Sequence, residues 1–203
     1  MTNKKEYAIT ITYKCNWNCV YCAVRNKYDF KANLSHEDVL KKIDLIEDGS
    51  NVTIFGGEPG LVKRKYIEEY IDILKLKNCD LFLETNGTFI KNYPDLMSSF
   101  KHVMYHCSCE LKDEIYLTDF KHITYMLIVH DDNIERLENY LKKYPNITFY
   151  IVEATYPYLE MKGPTLSTKN KNYLLTHFCN RMTKEAIERL LNGKDFDKIE
   201  FLT

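Results

Sequence analysis

The chain has 203 residues, of which 45% are hydrophobic and 28% charged, a length and composition that predict one soluble, folded domain rather than a disordered or membrane-embedded protein. With 28 Lys plus Arg against 29 Asp plus Glu, the formal net charge of −1 provides no overall field to collect a polyanion, which argues against nucleic acid as a partner. No apolar run approaches the roughly 18–20 residues that cross a bilayer, and the opening MTNKKEYAITITYKCNW lacks a long apolar stretch with a cleavage site, so the expectation is a cytoplasmic protein with no membrane partner.

In chain order, Tyr7 to Tyr13 alternates and is rich in β-formers, predicting a first strand that runs into a cysteine loop from Lys14 to about Tyr28. Three of the seven cysteines fall within this loop as Cys15-Asn-Trp-Asn-Cys19-Val-Tyr-Cys22, unlike the spread pairs of a disulfide framework. The C-x3-C-x2-C spacing places three thiolates close enough to ligate three irons of a cubane cluster, leaving the fourth iron without a cysteine and open to a substrate or cofactor. A structural zinc site is the competing reading, but zinc prefers four protein ligands and no second C-x2-C or H-x3-H half is evident. A non-catalytic iron-sulfur or zinc protein would have a filled coordination shell and no reaction with a cofactor.

Ser35, followed by Glu37 and Asp38, predicts an N-cap and a helix through VLKKIDLIE that stops near Gly49. A strand at Val52–Phe55 then meets Gly56-Gly57-Glu58-Pro59, and Lys63–Lys75 carries apolar residues at helical spacing. A third strand, Leu81–Leu83, leads into Glu84-Thr85-Asn86-Gly87, followed by a helix-like stretch ending around Phe100. Strands at Val103–Cys107, Ile123–Val129 and Ile147–Val152, with a helix over Asp132–Lys143, complete six β-then-α units and argue for a parallel α/β sheet. Glu110–Lys121 shows no clear pattern. After Thr155 a turn-rich loop precedes helical stretches at about Lys169–Phe178 and Thr183–Leu191.

Polar residues at the C-terminal ends of parallel strands face the mouth of the fold. This places Glu84 and Asn86 after strand three, Ser108 and Glu110 after strand four, His130 after strand five and Glu153 at the end of strand six. Gly56-Gly57-Glu58-Pro59 and Glu84-Thr85-Asn86-Gly87 each also read as ordinary turns, since such corners need these residues in any case.

The cysteine motif with an aromatic residue, Tyr21, just before its third cysteine, together with the GGEP segment after the second strand, resembles the radical S-adenosylmethionine (SAM) superfamily. The resemblance covers about Tyr7 to Glu153. It implies a partial (β/α)6 parallel barrel over about residues 7–153; residues 154–203, which the resemblance does not reach, are expected from the chain's own pattern to form an extension capping that barrel in the same single domain. It implies a [4Fe-4S] cluster on Cys15, Cys19 and Cys22, and SAM chelating the open iron through its amino and carboxylate groups. It further implies cleavage of SAM to methionine and a 5′-deoxyadenosyl radical that abstracts hydrogen from a small-molecule, nucleotide or peptide substrate. An electron donor such as flavodoxin or ferredoxin would supply the cluster. By the same resemblance, Gly56, Gly57 and Glu58 face the methionine ammonium group and Tyr21 places its backbone against adenine; Glu84, Asn86, Ser108, His130 and Glu153 are expected as further cofactor contacts from their places at the strand ends, with Glu84 and Asn86 able to meet SAM or substrate. Replacement of Glu58 is then expected to weaken SAM binding and leave the cluster intact.

Two compact branches share the short chain and the ETNG segment: the 7-carboxy-7-deazaguanine synthases and the activases that generate glycyl radicals on a partner protein. The synthases typically carry a QGEG-like segment before their cysteines, which is missing between Met1 and Cys15. Cys107, Cys109 and Cys179 raise an additional cluster, though their irregular spacing suits core packing better. Lys63-Arg64-Lys65 and Lys169–Lys171 are small basic patches that solvated helix ends explain equally well.

Overall fold

In a computed structural model, which describes residues 4–22, 24, 34–108, 110–153, 167–184, 186, 187 and 200–202, the six expected strands form one parallel sheet. They are β1 (Glu6–Thr10), β2 (Asn51–Phe55), β3 (Asp80–Thr85), β4 (His102–Ser108), β5 (Ile123–Val129) and β6 (Phe149–Glu153), each paired with its neighbour in chain order. The sheet remains open between β6 and the opposite edge, as a partial barrel does. A seventh strand, β7 (Glu200–Leu202), joins the outer edge of β1 in parallel, pairing Tyr7 with Glu200 and Ile9 with Leu202.

Strand alternation divides the sheet into two faces. Ile9, Val52, Ile54, Leu81, Leu83, Val103 and Leu127 point into a continuous apolar core. There they meet Val39 and Ile43 of α1 (His36–Asp44) and Ile67, Tyr70 and Leu74 of α2 (Arg64–Leu76). The opposite face carries Thr53, Glu84 and His106, all partly exposed.

Ser35 caps α1 as expected, its hydroxyl accepting the Asp38 N–H at 3.1 Å. The helix ends earlier than its sequence suggests because the chain tightens into i→i+3 bonds from Leu45 to Lys42 and from Ile46 to Ile43, which turn Ile46 into the core and leave Leu45 outside. Two further expected helices are also shortened. The stretch after Gly87 becomes α3 (Thr88–Asn92) and then a 3-10 turn over Pro94–Ser99, because Pro94 has no N–H and disfavours a helical Tyr93. The stretch before Pro145 begins as a 3-10 turn at Ile134–Arg136 and only then becomes α4 (Leu137–Lys143). In the tail, α5 (Thr168–Phe178) matches its expected place, whereas residues 154–166 and most of the second expected tail helix lie outside the described residues.

The region after β4 holds its shape through tyrosine hydroxyls rather than regular structure. Tyr105 accepts from the Tyr116 N–H and Tyr144 from the Ile115 N–H, each at 3.0 Å, and Tyr140 donates to the Asp113 carbonyl at 3.0 Å. Burial raises the pKa of Tyr105 and Tyr140, keeping both phenols protonated.

Candidate active site

The cysteine loop is fixed where it leaves β1. Ile11 donates to Phe55 O at 3.2 Å, Gly57 to Thr12 O at 2.7 Å and Glu58 to Lys14 O at 2.7 Å, so the GGEP turn continues the β1–β2 pairing past the strand ends. Glycine is required here by the protein's own chain: a Cβ on Gly57 would lie 2.1 Å from Lys14 O, and one on Gly56, at φ +136°, 2.4 Å from Thr12 O.

Glu58 points inward and is 0% exposed. Its carboxylate accepts from Gly60 N (2.7 Å), Asn86 N (2.7 Å) and Phe89 N (3.1 Å), and from the Thr85 hydroxyl (2.8 Å). Burial raises its pKa, opposed by those same donors. The side chain thereby ties the GGEP turn to the ETNG turn and the start of α3.

Cys15, Cys19 and Cys22 are partly exposed, and none is in a disulfide. Cys22 N donates to Cys19 O at 3.2 Å, closing the second half of the motif into a turn. The Cys15 sulfur lies 3.4 Å from Trp17 N and 3.7 Å from the Asn86 carboxamide nitrogen. Burial pushes the Cys15 thiol up to about 11, so metal binding would release its proton. Among the described residues, no three His, Cys, Asp or Glu side chains converge on a point that would hold a single metal ion.

The strand-end residues differ in how their side chains are engaged. Ser108 donates to Asp113 at 2.7 Å and accepts the Lys112 and Asp113 N–H groups, closing its own loop. Glu153 pairs with Lys171 of α5 at 2.6 Å, Glu110 with Arg136 at 3.4 Å, and Glu84 with His106 Nε2 at 3.5 Å. His130 is different. It is 1% exposed, both ring nitrogens lack a hydrogen-bond partner among the described residues, and its ring meets that of Tyr21 edge-on at 6.3 Å. Burial lowers its pKa against the opposing pull of Glu110 and Asp132, so the imidazole is neutral near pH 7.

Sequence reasoning passed over His106, although the alternation of HVMYHCS places it on the Glu84 face opposite Tyr105 and Cys107. Of the cysteines beyond the motif, Cys107 is fully buried in the core and Cys179 is exposed, while Cys109 lies outside the described residues. The basic patches are partly neutralised: Arg64 pairs with Glu68 and Asp95, and Lys171 with Glu153.

The family model described as the Radical SAM superfamily matches residues 9–152, from β1 to within β6. The chain belongs to the radical SAM superfamily. It is an enzyme of the radical SAM type. The 7-carboxy-7-deazaguanine synthase of Bacillus subtilis (strain 168) is 24% identical over 204 residues, covering 89% of this chain and 80% of that one. The protein of the same name from Methanocaldococcus jannaschii is 26% identical over 208 residues, covering 85% and 84%. A solved structure described as native anSMEcpe with bound AdoMet and Cp18Cys peptide superposes with a TM-score of 0.58 at 16% identity, covering 97% of this chain and 63% of that one. That likeness establishes the radical SAM fold and leaves about a third of the larger protein without a counterpart here. The residues present fit the family's cluster: three thiols on one loop, none in a disulfide, partly open to solvent and soft in their ligand chemistry.

Proposed function

We propose that Cys15, Cys19 and Cys22 hold a [4Fe-4S] cluster and that the enzyme cleaves SAM reductively to abstract a hydrogen atom from a small-molecule, nucleotide or peptide substrate. The observation that carries this reading is the joining of the C-x3-C-x2-C loop to the GGEP turn by main-chain hydrogen bonds at the C-terminal ends of β1 and β2. When bound, a cluster on Cys15, Cys19 and Cys22 would supply one-electron reducing chemistry, and SAM the group that takes hydrogen from substrate. The protein's part is to bind and orient. Gly56 and Gly57 present main chain to the methionine end, and Glu58 acts in cofactor binding by holding that turn against Asn86 and α3. Tyr21 sets its backbone against the adenine.

Among the strand-end residues, the imidazole of His130 is assigned the direct cofactor contact, since a buried donor and acceptor with no hydrogen-bond partner among the described residues suit a ligand or water. Glu84, Ser108 and Glu153, engaged with His106, Asp113 and Lys171, complete the cofactor site around it. The reading takes the electron from a flavodoxin- or ferredoxin-like donor. Matches spanning at least 80% of two 7-carboxy-7-deazaguanine synthases favour a small molecule over a protein as substrate.

The test is anaerobic reconstitution with iron and sulfide, followed by dithionite and SAM, with mass spectrometry for 5′-deoxyadenosine. Its formation supports the reading; a stable metal site that leaves SAM intact, even with stronger reductants, overturns it. The role of His130 has its own readout. SAM should shift the ring-nitrogen resonances of His130, and H130F should weaken SAM binding about tenfold, the cost of losing one buried hydrogen bond, at unchanged iron content. Unchanged resonances and affinity would remove His130 from the cofactor site.

A further inference from the structure

The Asn86 carboxamide bridges the ETNG turn and the cysteine loop, and its acceptor side fixes which way it faces. Its Oδ1 accepts the Thr88 backbone N–H at 3.1 Å and the Thr88 hydroxyl at 2.7 Å. A backbone N–H can only donate, so the oxygen must face Thr88 and the NH2 group must face the opposite way. There it lies 2.9 Å from Asn16 Oδ1 and 3.7 Å from Cys15 Sγ, one hydrogen for each. Asn16 in turn donates to the Thr88 hydroxyl at 3.0 Å, which closes a ring of three side-chain hydrogen bonds beside the sulfur. The ring rests on buried structure, because the Asn86 and Phe89 N–H groups on either side of Thr88 are both held by the Glu58 carboxylate.

We infer that Asn86 is a positioning residue for the cluster: its N–H donates to the Cys15 sulfur and raises the cluster's reduction potential. The inference rests on the reading above that Cys15 ligates iron. An N–H aimed at a ligating sulfur draws electron density from the thiolate and stabilises the more negative, reduced state, and hydrogen bonds to sulfur are among the established controls of cluster potential. The Trp17 N–H acts on the same sulfur, so Cys15 carries two donors, one from its own loop and one delivered across the site. Because the carboxamide is neutral, it does this without adding charge where SAM would bind.

The step tested is a one-electron reduction of the cluster by dithionite, which is itself oxidised, with no bond made or broken in the protein. Reconstituted wild type, N86L and N86D are compared by iron and sulfide content and by electron paramagnetic resonance during a potentiometric titration. N86L, which removes the donor, should hold a full cluster whose reduction equilibrium moves about tenfold toward the oxidised form, ~59 mV for one electron. N86D keeps an acceptor for Thr88 but turns a carboxylate oxygen toward the sulfur, and should move it further in the same direction. Wild-type potentials in both variants would overturn the inference. Should neither variant assemble a cluster, T88V decides: loss of the hydroxyl from the ring should give a smaller shift of the same sign, and an unshifted potential would overturn the inference. A wild-type protein that assembles no [4Fe-4S] cluster would instead overturn the function on which it rests.

Discussion

Replacing any one of Cys15, Cys19 or Cys22 with alanine should leave a folded protein that holds no intact [4Fe-4S] cluster and releases no 5′-deoxyadenosine from SAM. Folding should survive because all three lie on a partly exposed loop outside the apolar core that joins α1 and α2 to the sheet. The cluster should not survive, since each thiolate would ligate a separate iron and an alanine methyl offers no donor in its place. The measurements are iron and sulfide per chain, the circular dichroism spectrum, and product by mass spectrometry. C179A is the matched control: its thiol is exposed, and its loss should leave iron content and SAM cleavage at wild-type values. Full activity in any one of the three motif variants would remove that cysteine from the ligand set.

The second large effect is on stability. E58A deprives Gly60 N, Asn86 N, Phe89 N and the Thr85 hydroxyl of their common acceptor inside the protein. A buried donor left unsatisfied costs ~1–3 kcal/mol, and water entering the space offsets part of that, so the expected loss is about 3–5 kcal/mol. Urea denaturation of the metal-free protein reads this directly, without cluster or SAM. E58Q keeps the volume and one carbonyl oxygen but opposes an NH2 group to N–H donors, so its midpoint should fall between those of E58A and wild type. A wild-type midpoint in E58A would show that these bonds contribute nothing net. Measured on folded, reconstituted E58Q, SAM affinity then separates the two roles of the residue: weaker binding with an intact cluster is the outcome the GGEP resemblance implies, and loss of iron would place Glu58 in support of the cysteine loop.

The parts of this fold that were legible in the sequence are those governed by local period and local capping. The apolar, β-branched run ITYMLIV marks β5 to the residue, Ser35 three positions before Asp38 marks the start of α1, and the cysteine spacing identifies its loop with no knowledge of what packs on it. The parts that were not legible depend on long-range partners. A glutamate between glycine and proline at a strand end gives no sign of whether it faces a ligand or turns under the next helix, and here three amides, from two turns and the start of α3, draw it inward. Asn86 shows a tight turn in the sequence but not its reach across 71 positions to Cys15. His130 was legible as a strand-end residue, whereas the lack of a hydrogen-bond partner for its ring nitrogens among the described residues required coordinates. The short strand β7 was hidden because three paired residues carry too little alternation to stand out from a tail.

That same short strand sets an order of events during synthesis. β1 leads directly to the cysteines, yet among the described residues one of its two edges is covered only by residues 200–202, among the most distant in the chain. While a ribosome is still extending the protein, β1 therefore presents a row of unpaired amide and carbonyl groups on that side, open to pairing with another chain. The loop it carries reaches its finished surroundings only after about 200 residues have been made, so iron delivered to a nascent chain would meet the thiols on a strand not yet enclosed.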